Sequence, residues 1–214
     1  RGHSGIRPLV VEKIIEFLNH EIIPVVPSKG SVGASGDLAP LSHLALSLMG
    51  EGLVWRGSEK VVVKDLLKEK KIEPLELQAK EGLSLINGCQ VMTAVGLINA
   101  YRAKRVLLLM DVAGAMTLEA MRGSRTAFDP LIAATRAHPG EAKTAQNLLK
   151  ILGDSSPISQ SHAGCDRVQD AYSLRCMPAV HGAAKDSLNH ALKTLLVEAN
   201  SSTDNPLVFV DEGK

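Results

Sequence analysis

The residues best suited to chemistry lie in one loop, Gly30-Ser-Val-Gly33-Ala34-Ser35-Gly36-Asp37. A phosphate cradle of the P-loop kind needs its last glycine followed by Lys and Ser/Thr, whose ammonium and hydroxyl face the phosphate and its metal. Asp37 stands there instead and repels an anion. A nucleophile elbow, Gly-x-Ser-x-Gly, also fails, because the fifth residue counted from Gly33 is Asp37. Two readings remain open on the residues alone. One is a plain loop entering a helix whose first turn is capped by Asp37. The other is backbone cyclisation: the Gly36 amide nitrogen attacks the Ala34 carbonyl carbon, and loss of two waters, one from the ring and one from Ser35, leaves a 4-methylideneimidazole-5-one. Each residue type suits that step. Gly36 lets its nitrogen approach with no Cβ in the way, Ala34 is small, Ser35 carries the departing hydroxyl, and Asp37 can move protons. The product is an electrophile made from the chain itself, with no external cofactor.

Three other segments carry polar groups in unusual company: Gly82-Leu-Ser-Leu-Ile-Asn87-Gly-Cys-Gln90, Gln169-Asp-Ala-Tyr172-Ser-Leu-Arg175-Cys-Met-Pro178 and Asn200-Ser-Ser-Thr-Asp-Asn205-Pro-Leu207. Taken singly they read blandly. Asn87-Gly88 and Asn205-Pro206 are turn chemistry, and Tyr172 and Arg175, three apart, are neighbours at a helix start. Taken together with Gly33-Ala-Ser-Gly-Asp-Leu-Ala-Pro-Leu-Ser-His43, and in this order, they resemble the aromatic amino-acid ammonia-lyase family, which includes histidine and phenylalanine ammonia-lyases and aminomutases. The resemblance covers the whole chain, but the chain covers only the middle of a family member. The opening Arg-Gly-His-Ser-Gly, without an initiator Met, also reads as the interior of a longer protein.

The resemblance implies an all-α fold, a long-helix bundle of the fumarase/aspartase-like type with at most a small β-hairpin, formed by residues 1–214 as a single central domain. It implies catalytic roles for Ala34, Ser35 and Gly36, which close the ring, and for Tyr172 beside it. It implies that Asn87 and Gln169 hold the electrophile or the substrate, that Arg175 forks onto the substrate carboxylate, and that Asn205 shapes the site. Eliminating ammonia from an α-amino acid removes a weakly acidic β-proton while an amine leaves, and a covalent electrophile eases the departure. Gln90 and the Tyr-Ser-Leu-Arg-Cys string are most similar to the histidine ammonia-lyases, implying L-histidine as substrate and trans-urocanate and ammonia as products. Cys89, Ala171 and Met177-Pro-Ala depart from the usual residues there, so phenylalanine or tyrosine ammonia-lyases and aminomutases are alternatives, as is a non-catalytic helical assembly. By resemblance the active site is shared among subunits of a homotetramer. The β-proton base and a glutamate that reads imidazole lie outside residues 1–214, so this stretch alone is expected to turn over little or nothing.

The elements that must position these groups follow from apolar periodicity. Pro8 opens a helix that ends near His20, before Pro24 and Pro27. A second helix follows Asp37, with Pro40 tolerated in its first turn. Leu53–Val63 reads as a hairpin around Gly57, 64–71 as a short helix, and 72–88 as irregular. Proline is absent from Cys89 to Met121, which predicts one helix of about thirty residues, about 50 Å long at 1.5 Å per residue. Gly96 and Gly114 within it suggest close helix–helix approach or a bend. Shorter helices are expected near 129–137 and 141–152, then a polar loop, then another long helix over 179–199. Helices apolar on several sides need partners on several sides, which implies a homo-oligomer.

Composition narrows the class. The 214 residues carry 24 Lys+Arg against 23 Asp+Glu, a net charge of +1. That balance argues against nucleic acid or an anionic membrane as partner. Six aromatic residues (one Trp, two Tyr, three Phe) are too few for stacking on single strands. No unbroken apolar run approaches the ~18–20 residues that cross a bilayer, since Val106–Met110 is closed by Asp111. Three cysteines, Cys89, Cys165 and Cys176, are no disulfide framework and suggest a reducing, cytoplasmic setting. His162-x-x-Cys165 lacks a second ligand pair for zinc, so no metal is expected. The partner expected is a small-molecule amino acid.

Overall fold

The computed structural model describes residues 2–210 except Ala34, 155–156, 159–161 and Ala163. These residues form two compact units, one of 1–95 with 197–214 and one of 96–196. Helices dominate both, as the all-α expectation requires.

In the first unit, α1 (Pro8–Asn19) starts with proline at its first position, where a missing N–H costs nothing. It buries Val10 and Phe17. Leu9, Val11, Ile15 and Leu18 on its other side stay exposed. The expected hairpin is β2 (Leu53–Arg56) with β3 (Glu59–Val62), closed by the two-residue turn Gly57-Ser58 with Gly57 at φ +62°. It gains a third, antiparallel strand, β1 (Ile23–Pro24), which pairs Ile23 with Trp55 and Pro24 with Val54. Two residues, one of them proline, give no periodicity to read. Val54 alone on β2 is fully buried, against α2 (Leu38–Leu48) and α3 (Val63–Lys70) in a core that includes Phe17, Leu48, Val63 and Leu67.

The stretch 72–88 is not wholly irregular: α4 (Glu81–Ile86) lies within it. Local periodicity missed this helix because tertiary contacts build it. Glu81, 1% exposed, accepts hydrogen bonds from Arg7 Nε (2.8 Å), Arg7 Nη2 (2.8 Å) and Gln78 N (2.8 Å). The Arg7 guanidinium first, then the Gln78 amide, outweigh burial and hold the Glu81 carboxyl at about 2, well below its ordinary 4.5. A depressed folded-state pKa contributes stability that is complete above the unfolded value and is lost as pH falls through the folded one. Glu81 therefore stabilises the chain fully above about pH 4.5 and progressively less towards pH 2. Urea unfolding followed across that range should show a shallower acid limb for Glu81→Gln than for the parent; identical limbs would contradict this assignment.

The second unit contains most of α5 (Gln90–Ala120), the 3-10 turn Thr126–Phe128, α6 (Pro130–Arg136), α7 (Pro139–Leu152), the single turn α8 (Tyr172–Arg175) and most of α9 (Met177–Ala199). Its core joins Leu118, Phe128, Leu148 and Leu152 to Leu174 and Met177. The two glycines of α5 mark close approach to α9. A Cβ on Gly96 would lie 2.9 Å from Leu195 Cδ2, and one on Gly114 2.6 Å from Met177 Sδ. Gly140 of α7 and Gly182 of α9 meet backbone to backbone in the same way.

The helical stretch from Glu81 to Ala120 contains an 18-residue window of mean hydropathy 1.3, of which 17% is buried within this chain. It is long and apolar enough to cross a membrane by length and composition alone, a property that a search for unbroken apolar runs does not register. Ile98, Tyr101, Val106, Leu109 and Met116 of α5 are each more than half exposed.

Candidate active site

In the first unit, the loop and two distant turns are held against one another. Gly36 sits at φ +109°, in the region that favours glycine, and a Cβ there would come within 2.9 Å of both Gly88 N and Gly88 O. The next amide, Asp37 N, donates to Gly88 O at 2.7 Å. Ser35, just before, is exposed, and Ala34 lies outside the described residues. Backbone therefore presses on backbone at the residue whose nitrogen the cyclisation requires to approach closely.

Asp37 occupies the N-cap position of α2, and its backbone carbonyl accepts from Leu41 N at 3.0 Å. Its side chain does not make the expected cap on α2. The carboxylate, 2% exposed, instead accepts from Met92 N at 2.8 Å in the first turn of α5, and from Ser31 Oγ at 3.4 Å. The anion serves the start of another helix, whose free N–H groups favour negative charge equally well.

Asn87 ends α4 and is half-buried. Its Nδ2 donates to Asn205 O at 2.9 Å, joining two residues 118 positions apart. Thr203 Oγ1 accepts from Cys89 N and Gln90 Nε2, each at 3.5 Å. Asp204 accepts from Lys80 Nζ at 2.8 Å. Residue type and spacing assign no role to Lys80, Thr203 or Asp204. The Thr-Asp-Asn-Pro string was the available signal, since Asp directly before Asn-Pro offers a carboxylate to a turn. A groove of about 460 Å³ beside the loop is lined by Lys29, Gly33, Asp37, His43 and Met92 among others.

In the second unit, α8 presents Tyr172 and Arg175 on one face, and the Arg175 guanidinium carbon lies 4.0 Å from the Tyr172 ring centroid. Arg175 Nε is buried without a hydrogen-bond partner among the described residues. A guanidinium has five N–H donors and no acceptor, so an orphaned one beside a cleft suits an incoming carboxylate. That cleft, about 510 Å³, is lined by Arg175, Gln169, Asp170, Ser124, His162 and Cys165, among others. Gln169 is exposed in it. Asp170 orders the wall, accepting from Ser124 N at 2.5 Å and from Arg167 Nη1 at 3.2 Å. The Arg167 amide first, then the His162 ring, push the Cys165 thiol below its usual range, and Cys165 in turn raises His162.

A helical chain with Gly36 pressed against Gly88 and a Tyr172–Arg175 turn defines a class. The aromatic amino acid lyase family matches residues 1–214, and the chain belongs to it. It is similar to a histidine ammonia-lyase of Gloeobacter violaceus, 53% identical over all 214 residues and 41% of that relative. Among solved structures it is similar to histidine ammonia-lyase from Trypanosoma cruzi (TM-score 0.86, 41% identity, all of this chain and 39% of that one). It is equally similar to tyrosine aminomutase from Streptomyces globisporus (TM-score 0.87, 40% identity, all of this chain and 43% of that one). The chain thus spans about two fifths of the length of these relatives.

Proposed function

We propose that this chain is the central part of a histidine ammonia-lyase, a carbon–nitrogen lyase that converts L-histidine to trans-urocanate and ammonia. The observation that carries the reading is the Gly36–Gly88 contact: directly after an exposed serine, the loop places a residue with φ +109° where no Cβ fits. The residues described there fit the 4-methylideneimidazole-5-one that Ala34, Ser35 and Gly36 would form. That group supplies an electrophilic carbon that eases departure of the amine. This chain's own residues bind and orient the substrate, while the β-proton base belongs to the rest of the lyase. In the second unit Arg175 binds the substrate carboxylate, flanked by Tyr172, with Gln169 beside it to hold polar atoms; in the first unit Asn87, held by Asn205, does the same for polar atoms beside the Ser35 loop. The histidine-type relatives favour histidine as substrate, while the aminomutase likeness keeps tyrosine- and phenylalanine-type chemistry as the second reading. The exposed apolar residues of α5 support assembly with further copies; the homotetramer and the cytoplasmic setting are carried by the family resemblance and the sparse cysteines.

The experiment is made on the complete lyase containing this chain. A tryptic peptide spanning Ser35 should be lighter than its sequence by two waters, and Ser35→Ala should restore the sequence mass and abolish urocanate production. An unmodified peptide in protein that still turns over histidine would overturn the reading. Arg175→Ala should raise KM about 10- to 100-fold, the range expected for losing charge-assisted bonds to a carboxylate.

A further inference from the structure

The Asn87 side chain is a primary amide, and its two ends differ in what they can do: the NH2 only donates and the carbonyl only accepts. Its neighbour at 2.9 Å is the Asn205 carbonyl, which only accepts. The NH2 must therefore face Asn205, and the carbonyl oxygen Oδ1 turns the other way. Whatever fixes the Asn205 carbonyl thus decides which end of Asn87 is offered outward.

Asp204 is placed to do this. One carboxylate oxygen, Oδ1, accepts from Asn205 N at 2.7 Å, and the other, Oδ2, accepts from Lys80 Nζ at 2.8 Å. The Asp204 side chain is 6% exposed and that of Lys80 19%, so the pair is largely shielded from water. Lys80 Nζ donates a second bond to Ser84 Oγ at 2.8 Å, and Ser84 Oγ donates to Ser4 O at 3.3 Å. Lys80 is also the N-cap of α4, held at φ +68°, and Asn87 is the C-cap of the same helix. A non-glycine residue keeps such a φ only where its surroundings enforce it. The contacts close a ring: Lys80, the six residues of α4, Asn87, the Asn205 carbonyl, Asp204 and back to Lys80. Burial alone would raise the Asp204 carboxyl, yet Lys80, Ser4, the Asn205 amide and Ser84 together hold it below its usual range, so the clamp stays charged near neutral pH.

We infer that Lys80 and Asp204 are a positioning pair, which locks the Asn205 carbonyl and through it points Oδ1 of Asn87 into the site. Neither needs to touch substrate. The geometry stands by itself; its bearing on turnover rests on the ammonia-lyase reading above.

Two measurements separate these. In the isotopically labelled complete lyase, the Asn87 side-chain NH2 resonances are assigned by their loss in Asn87→Ala. Asp204→Asn, and more sharply Lys80→Met, should shift them and speed their exchange with water about tenfold, roughly what losing one hydrogen bond of ordinary strength permits. Lys80→Arg, which keeps the cation, should leave most of the protection. Unchanged Asn87 resonances in a variant whose backbone spectrum is otherwise intact would overturn the inference. In the complete lyase, Asp204→Asn should lower kcat about tenfold with Asn87 present and no further in the Asn87→Ala background, because the pair acts only through Asn87. An equal loss in both backgrounds would overturn it, marking a merely structural role. If the resonances move as expected but Asn87→Ala leaves turnover intact, the clamp stands and the assignment of Asn87 to the reaction fails.

Discussion

Asp111→Ala should destabilise the second unit by about 3–5 kcal/mol, the usual cost of removing one partner from a buried ion pair. Asp111 of α5 is 1% exposed and is met from two other helices. His181 Nδ1 and Lys185 Nζ reach it from α9, and Asn147 Nδ2 from α7 at 2.7 Å. Lys185 also donates to Thr144 Oγ1 at 2.7 Å, and Thr144 is fully buried. Alanine would leave the Lys185 ammonium, 11% exposed, without a counter-charge and with one oxygen partner fewer. Thermal unfolding should move down by ~10 °C or more for a unit of this size. Lys185→Met in addition should recover much of the loss, because an apolar chain of similar length removes the orphaned charge. A loss below about 1 kcal/mol would show that the cluster behaves as a solvent-exposed pair, against the burial described.

Gly36→Ala combines two penalties at one atom. The residue would hold φ +109° with a side chain, and its Cβ would sit 2.9 Å from the Gly88 backbone, which cannot swing aside as a flexible side-chain tip can. Left-handed strain of about 1–2 kcal/mol and an overpacking cost of about 1–3 kcal/mol together give about 2–5 kcal/mol, unless the loop yields. If it yields, the Asp37 N to Gly88 O bond at 2.7 Å breaks, and the backbone approach needed for ring closure is lost. In the complete lyase the expected result is therefore an unmodified Ser35 peptide and turnover at background level, with most of the helical content retained. Normal turnover from this variant would mean that the Gly36–Gly88 contact has no part in forming the site.

Elements with strong local signals were legible from the residues. Pro8 at a helix start, the proline-free run behind α5 and the glycine turn of the hairpin each state a backbone preference that the fold had no reason to override. The helix α4 was not legible, because its first residue is held by Arg7 from 74 positions away. Nor was β1, whose two residues become a strand only by pairing with Trp55 and Val54. Asp37 shows both cases in one residue. Its place before a helix was evident, but its carboxylate serves Met92 rather than its own helix.

By itself the sequence determined the helical class, the loop whose three small residues suit cyclisation, and the ordered motifs by which the family is known, because residue type and local spacing depend only on covalent neighbours. Tertiary structure alone decided what those motifs touch. Gly36 against Gly88, Asn87 against Asn205, Lys80 against Asp204 and Asp111 amid His181, Lys185 and Asn147 are all contacts between distant positions. Such pairs form because a buried charge or backbone donor must find a partner wherever folding brings one, and no local pattern records which one it will be.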